Sequence, residues 1–153
     1  MKRIHHTNRV RIRIPYSTSY KQEIDYKPNG IWYGIDWAWE DWCKSEMPEW
    51  KHKRHFELKL DLKRILIINT ESKLKKFYKT FGESPDWAKN LSSSYIVFIN
   101  WKKVAKKYSG IEITPYPYKF RFKYMWLYTW DVASGCVWNL NAIKSVKQIN
   151  KKK

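Results

Sequence analysis

The chain has 153 residues, a net charge of +17, and an aromatic share of 18% that includes 10 Trp and 11 Tyr. This length suits a single domain that can bury a stable core without disulfide bonds or metal ions. Cys43 and Cys136 are the only cysteines, and no Cys/His grouping has metal-ligand spacing. We therefore expect neither a disulfide framework nor a metal site. The charged start lacks the apolar run of a signal peptide and no stretch has the length of a membrane span, which predicts a cytoplasmic protein, in the host cytoplasm if it is viral or a toxin.

The charge balance predicts an anionic partner. The chain carries 31 Lys and Arg against 14 Asp and Glu, and such a field attracts polyanions, which favours DNA or RNA over an acidic protein. A genome poor in G and C offers a second explanation, because it raises the lysine content regardless of function. The number of tryptophans points to a groove or pocket, since each buried indole N–H needs a partner.

Alternating apolar and charged residues predict the strands of the first half of the chain. These strands are Arg3–His6, Arg9–Pro15, Ile31–Ile35, Phe56–Leu62 and Ile65–Ile68. The second of them would carry a cationic face. Residues 16–29 show no hydrophobic periodicity, which predicts a loop that ends in a turn at Gly30. Asp36 is the predicted N-cap of a helix over Trp37–Glu46.

The second half of the chain predicts two helices. Thr70 is the N-cap of a helix whose apolar face ends at Phe81, before Gly82, and the next helix covers Trp101–Tyr108. The predicted strands are Tyr95–Ile99, Ile111–Thr114, Tyr118–Tyr128 and Cys136–Leu140. Strands outnumber helices without a regular βαβ series, which favours one α+β domain over residues 1–149 with a mixed or antiparallel split sheet. Residues 150–153 form a basic tail.

Three short motifs carry the chemistry that the sequence suggests. The first is His5-His6-Thr7 on the first strand, and the second is Gly30-Ile31-Trp32-Tyr33-Gly34, which leads into Trp42-Cys43. The third is Gly110-Ile111-Glu112-Ile113, where alternation places Glu112 on the face opposite its isoleucine neighbours, toward solvent or a cleft. In this order the motifs resemble those of the diphtheria-toxin and poly(ADP-ribose) polymerase branch of the ADP-ribosyltransferases, whose signature is His, Tyr and Glu on three strands.

The resemblance implies an enzyme that uses NAD as its substrate and transfers ADP-ribose to a nucleic acid or a protein. It implies that His5 and Thr7 bind the ribose and that Trp32 and Trp42 sandwich the nicotinamide ring. Glu112 would stabilise the oxocarbenium-like transition state as the catalytic carboxylate, together with His5. The cofactor-binding residues would be His5, His6, Thr7, Gly30, Trp32, Tyr33 and Trp42.

Two features of the motifs bear on this resemblance. Trp32 stands where the family has Tyr, and His6 stands where it often has Gly, so the register leaves open whether His5 or His6 is the functional imidazole. If the resemblance holds, one of these histidines should line a single pocket together with Trp32 and Glu112. If Glu112 instead lies on the opposite side of the sheet from Trp32, the transferase interpretation drawn from these motifs fails and the strand after Gly30 is ordinary core.

Two stretches are candidates for nucleic-acid binding. They contribute Arg9, Arg11 and Arg13, and Lys119, Arg121 and Lys123, the latter between aromatic residues on which bases can stack. The alternative for the first is a solvated edge strand, and for the second an aromatic core face beneath a basic surface. Two other functions remain open: a non-catalytic nucleic-acid-binding module, and a small viral or mobile-element protein that inhibits a host factor.

Overall fold

The computed structural model describes residues 1–88 and 97–151. In this part of the chain, four α-helices flank a seven-stranded sheet and a three-stranded sheet. The helices are α1 (Ala38–Glu46), α2 (Glu71–Phe81), α3 (Trp101–Ala105) and α4 (Met125–Tyr128). None of them combines the length and the apolar character that a membrane span requires.

The larger sheet is mixed and joins both ends of the chain. Its strands are β1 (Arg3–Thr7), β3 (Ile31–Ile35), β4 (Arg54–Leu60), β5 (Ile65–Ile68), β8 (Gly110–Ile113), β9 (Ser134–Val137) and β10 (Ile143–Ile149). Their order is β10-β4-β1-β3-β9-β8-β5, and only β5 and β8 pair in parallel. The small antiparallel sheet consists of β2 (Ile24–Asp25), β6 (Gly82–Glu83) and β7 (Phe98–Asn100), with β7 in the middle. The predicted α+β class with a mixed sheet is confirmed.

The register of β3, β9 and β8 divides the core into two faces. Trp32, Cys136 and Ile111 are partners across these strands and therefore share a face. This face packs against the helices and their buried tryptophans. Tyr33 and Glu112 lie on the other face, which belongs to a second cluster with Leu58, Val137 and Leu140.

The predicted N-cap of α2 is confirmed. The Thr70 side chain accepts a hydrogen bond from the backbone N–H of Lys73 at 3.2 Å, which satisfies one of the free donors of the first turn. Leu74, Phe77 and Phe81 are buried on one face of this helix. The helix ends before Gly82, as the sequence predicts.

The predicted strand over Arg9–Pro15 is wrong, because this segment forms no strand. Both edges of β1 are already paired, with β3 and β4, so the segment that follows finds no free strand beside it. Its alternation has another cause, since Arg11 and Arg13 are exposed while Ile14 packs against the second core cluster. The cationic strand face that the sequence predicts does not exist.

The predicted strand over Tyr118–Tyr128 is also wrong. The segment forms a 3-10 turn over Tyr118–Phe120 and then α4. Phe120 and Tyr124, four residues apart, are both buried, and the Tyr124 N–H donates to the Phe120 carbonyl at 2.9 Å. The helical spacing of the large aromatic residues therefore determines the structure here, rather than the alternation of basic and aromatic residues.

Other elements differ from the predictions mainly in their bounds. The helix that starts at Trp101 is shorter than predicted, and Trp37 rather than Asp36 occupies the N-cap of α1, because Asp36 has a φ of 49°. Strand β10 was not predicted. Part of the predicted strand over Tyr95–Ile99 lies outside the described residues.

Candidate functional site

A cavity of about 250 Å³ opens where β1, β3 and the first turn of α1 meet. It is lined by His5, His6, Lys27, Trp32, Tyr33, Gly34, Trp39, His52, Trp130 and Ser134. Cavities that enclose whole drug-sized ligands measure about 300–1,000 Å³. This cavity therefore has room for one ring system and adjacent groups rather than for a complete dinucleotide.

Both histidines of the first motif line the cavity. The Nδ1 atom of His5 lies 2.8 Å from the carbonyl oxygen of Trp32, a contact that links β1 to β3. Burial lowers the pKa of His5 below its usual value, and burial together with the neighbouring His55 lowers the pKa of His6 to about 3. Both imidazoles are therefore neutral at neutral pH.

Aromatic rings and one cation form the wall around Trp32. The ring of Trp130 meets that of Trp32 edge-on, with centroids 4.8 Å apart. The Lys27 ammonium lies 5.1 Å from the centre of the Trp32 ring, within the range of a cation–π interaction. A planar ligand can contact these rings while an anionic group on it reaches Lys27.

Three polar atoms of the cavity-lining residues are buried without a hydrogen-bond partner. They are the Nε2 of His6, the Nδ1 of His52 and the indole Nε1 of Trp130. Buried polar groups nearly always have partners, because an unpaired one costs about 1–3 kcal/mol. These atoms belong to residues that line the cavity but are themselves covered, so a polar ligand would reach them only if the side chains turned toward it.

The structure contradicts the prediction that Glu112 shares this pocket. Glu112 does not line the cavity, lies on the opposite face of the sheet from Trp32, and is fully buried. Its Oε2 accepts from the Arg3 Nε at 2.6 Å and its Oε1 from the Arg3 Nη2 at 3.0 Å. The alternation of β8 correctly separated Glu112 from its isoleucine neighbours, but the face that it points to is core rather than solvent or cleft.

The Tyr33 hydroxyl completes the surroundings of Glu112. It donates to the Glu112 Oε2 at 3.0 Å, and burial together with the carboxylate raises the pKa of Tyr33 well above its usual value. Gly135 lies between these two residues in the register, and any Cβ there would collide with the Tyr33 ring. We define Arg3, Tyr33 and Glu112 as the buried triad; it holds β1, β3 and β8 together.

Three other predicted cofactor-binding residues lie outside the cavity. Trp42 stacks on Trp39 with centroids 5.1 Å apart and lines a different groove, so it cannot form a sandwich with Trp32. The Thr7 hydroxyl accepts from the backbone N–H of Arg9 at 3.2 Å. Gly30 lets β3 approach Val137, because a Cβ at Gly30 would overlap its carbonyl.

Sequence reasoning missed Lys27, Trp39, His52, Trp130 and Ser134, although all five line the cavity. Trp39 had a signal, since it stands beside the predicted pair Trp42-Cys43. Trp130 and Ser134 reach the cavity through the pairing of β9 with β3, which no local pattern reveals.

A larger groove of about 1,230 Å³ lies next to the cavity. The segment Trp130–Ser134 contributes to both, because its two ends line the cavity and its middle lines the groove. Asp131 in this segment has a φ of 62°, a backbone conformation that non-glycine residues rarely adopt and that clusters at functional sites. Lys27 and Arg121 both lie close enough to act on its pKa, which burial raises above its usual value.

No protein-family model, curated protein or solved structure matches this chain. The resemblance to the ADP-ribosyltransferases therefore rests on the three motifs alone. Two of these motifs supply residues to the cavity, and the third supplies Glu112 to the buried triad.

The segment from Tyr118 to Tyr128 presents an aromatic and basic surface despite its helical structure. Tyr118 and Phe122 are 63% and 73% exposed, far more than large apolar side chains usually are. The Arg121 guanidinium lies 4.6 Å from the centre of the Tyr128 ring. Lys119 and Lys123 are exposed on the same segment, and Lys119 also forms an ion pair with Glu71. We define the aromatic–basic patch as Tyr118, Lys119, Arg121, Phe122, Lys123 and Tyr128.

Proposed function

We propose that the protein binds NAD, with the nicotinamide end in the cavity beside Trp32. The observation that carries this proposal is the wall of the cavity, in which tryptophan rings stand next to unpaired polar atoms. A nicotinamide ring is planar and carries a carboxamide with both donors and an acceptor. It can therefore stack on the rings and pair with the Trp130 indole and the histidine nitrogens.

The size and charge of the cavity support binding of one end of the dinucleotide. A volume of about 250 Å³ accommodates a nicotinamide ring with its ribose, so the pyrophosphate would lie outside. Among the described residues that line the cavity, Lys27 is the only lysine or arginine, and we expect it to attract the phosphates that lie outside. Because His5 and His6 are neutral, they add no positive charge beside the nicotinamide ring, which is itself a cation in NAD.

Because Glu112 and Trp32 lie on opposite faces of the sheet, the transferase as the three motifs draw it fails its own geometric test. We propose ADP-ribose transfer only in a different form, with another carboxylate. Glu112 is enclosed in the buried triad and is held by Arg3, so it is a poor candidate to approach the nicotinamide ribose. Asp131 lines the adjoining groove rather than the cavity, but it directly follows the cavity residue Trp130 and lies close enough to Lys27 for that residue to act on its pKa. Its φ of 62° lies in the left-handed region, which Asp adopts more readily than most residues and which recurs at functional sites.

The acceptor that we propose is a single-stranded nucleic acid bound at the aromatic–basic patch. Exposed rings stack on bases of any sequence, while adjacent cations contact the phosphates. The Arg121 side chain connects this patch to the proposed carboxylate, since its Nη2 lies 3.4 Å from the Asp131 Oδ1. An acceptor on the patch would thus lie near the reacting end of NAD.

Trp32→Ala should weaken NAD binding by about 10- to 100-fold, which corresponds to the loss of one stacking contact. The measurement is titration calorimetry with NAD, and free nicotinamide should compete for the same site. Trp87→Ala is the matched control, since Trp87 is 65% exposed and lies outside the cavity. Equal NAD affinity in wild type and Trp32→Ala, or no competition by nicotinamide, would contradict the proposed site.

Asp131→Asn should slow the release of nicotinamide from NAD by about 100-fold, the usual cost of losing one preorganised electrostatic contact. Glu112→Gln, assayed below its melting temperature, should retain the wild-type rate. Release is measured by chromatography with and without a single-stranded oligonucleotide, which should accelerate it. A wild type that releases no nicotinamide with any acceptor would refute the transfer reaction but not NAD binding.

A further inference from the structure

Three elements bring two imidazoles and a carboxylate together beside the cavity. His6 comes from β1, Glu40 from the first turn of α1 and His55 from β4, and their ligand atoms all lie within 4.8 Å of one another. The Nδ1 atoms of the two histidines are 3.0 Å apart. This combination escaped sequence analysis because the three residues are far apart in the chain and share no spacing motif.

The hydrogen bonds of this cluster are incomplete. The Oε2 of Glu40 and the Nε2 of His6 are buried and have no partner. A hydrogen bond between the two Nδ1 atoms uses one nitrogen of each ring, so it leaves the His6 Nε2 unpaired in either tautomer. Buried polar atoms that lack partners indicate a missing ligand.

The geometry points to a divalent transition-metal site formed by His6, Glu40 and His55. Two imidazoles and one carboxylate are a common protein ligand set of zinc sites in which a fourth position stays open to water or substrate. The imidazoles favour Zn²⁺ or Co²⁺ over Mg²⁺, which prefers oxygen ligands. The proposed metal site shares His6 with the cavity, but Glu40 and His55 do not line the cavity, so variants of these two residues test the metal site separately from the NAD site.

Neighbouring residues affect the affinity that we expect this cluster to have for a metal ion. The Lys51 ammonium lies 3.7 Å from the Glu40 Oε1, and Lys151 acts on both histidines from the C-terminal end of the described chain. These two cations repel a bound metal ion and therefore lower its affinity. The rings of His6 and His55 both pack edge-on against Trp37, which limits the directions in which they can turn.

The test is titration of the untagged, chelator-treated protein with Zn²⁺, followed by calorimetry, and with Co²⁺, followed by visible absorption. We expect one ion per chain and the intense bands of low-coordinate Co²⁺. Loss of an outer-shell partner costs up to about 100-fold in metal affinity, so loss of a direct ligand should cost at least as much. Glu40→Gln and His55→Ala should each show this loss, whereas Glu46→Gln, an exposed change on the same helix, should not.

Folding and NAD binding are measured on the same variants. Zn²⁺ should raise the melting temperature of the wild type but not that of Glu40→Gln, because only a ligand bound to the native state stabilises it. His55→Ala should retain its affinity for NAD, which separates this inference from the proposed function. Wild-type affinity for Zn²⁺ in either ligand variant, or equal binding of Mg²⁺ and Zn²⁺, would overturn the metal site.

Discussion

Glu112→Gln should lower the free energy of unfolding by about 3 kcal/mol, which corresponds to a drop in melting temperature of roughly 6–12 °C. The substitution keeps the shape of the side chain but removes its charge. Arg3, whose side chain is only 12% exposed, then loses its partner. Breaking a buried ion pair from one side is costly because the remaining charge stays largely desolvated. Denaturant unfolding measures the effect.

Two further measurements separate a structural role of Glu112 from a catalytic one. The NAD affinity of Glu112→Gln should match that of the wild type, since Glu112 lies on the other face of the sheet from Trp32. Arg3→Met should cost at least as much stability, and the double variant should cost less than the sum of the two single changes. Unchanged stability in Glu112→Gln together with lost nicotinamide release would restore Glu112 as the catalytic residue.

Gly135→Ala should destabilise the protein by about 4 kcal/mol, through overpacking and through loss of a hydrogen bond to a charged group. The new Cβ would lie against the Tyr33 ring and 2.6 Å from the backbone oxygen of Ile111. The Tyr33 ring can turn away only by giving up its contact with Glu112. Thermal and denaturant unfolding of the variant measure the loss.

Gly34→Ala is the matched control for this substitution. Gly34 lies on the neighbouring strand, and the nearest atom to its added Cβ is the Trp39 Cβ at 3.1 Å. A shift of a few tenths of an ångström relieves that contact, so we expect a smaller loss of stability. Equal losses in the two variants would mean that the buried triad does not depend on Gly135.

The sequence predicts elements well where one periodicity dominates. The alternation of β4 and the apolar face of α2 both gave correct elements, because each has one buried and one exposed side. The prediction failed over Arg9–Pro15 and Tyr118–Tyr128, where an alternation of residue types was taken to indicate strands. The first segment has no free strand beside it, which is a tertiary effect. The second is held by local helical hydrogen bonds between residues four apart, which the alternation of residue types concealed.

The candidate site was predictable only in part for the same reason. The motifs located His5 and Trp32 because they belong to adjacent paired strands. Trp130 and Lys27 reach the cavity through long-range packing that leaves no local signal. Alternation could assign Glu112 to a face of β8 but could not show that this face is also core, since β8 is buried on both sides.

The position of β10 at the edge of the large sheet gives part of the positive charge a role that requires no ligand. An edge strand offers unpaired backbone groups to other copies of the chain, and lysines on such strands oppose edge-to-edge aggregation. Lys144 and Lys147 are exposed on β10, and the basic tail follows directly. We therefore expect these edge lysines to oppose self-association, a role that accounts for part of the lysine excess without an anionic partner.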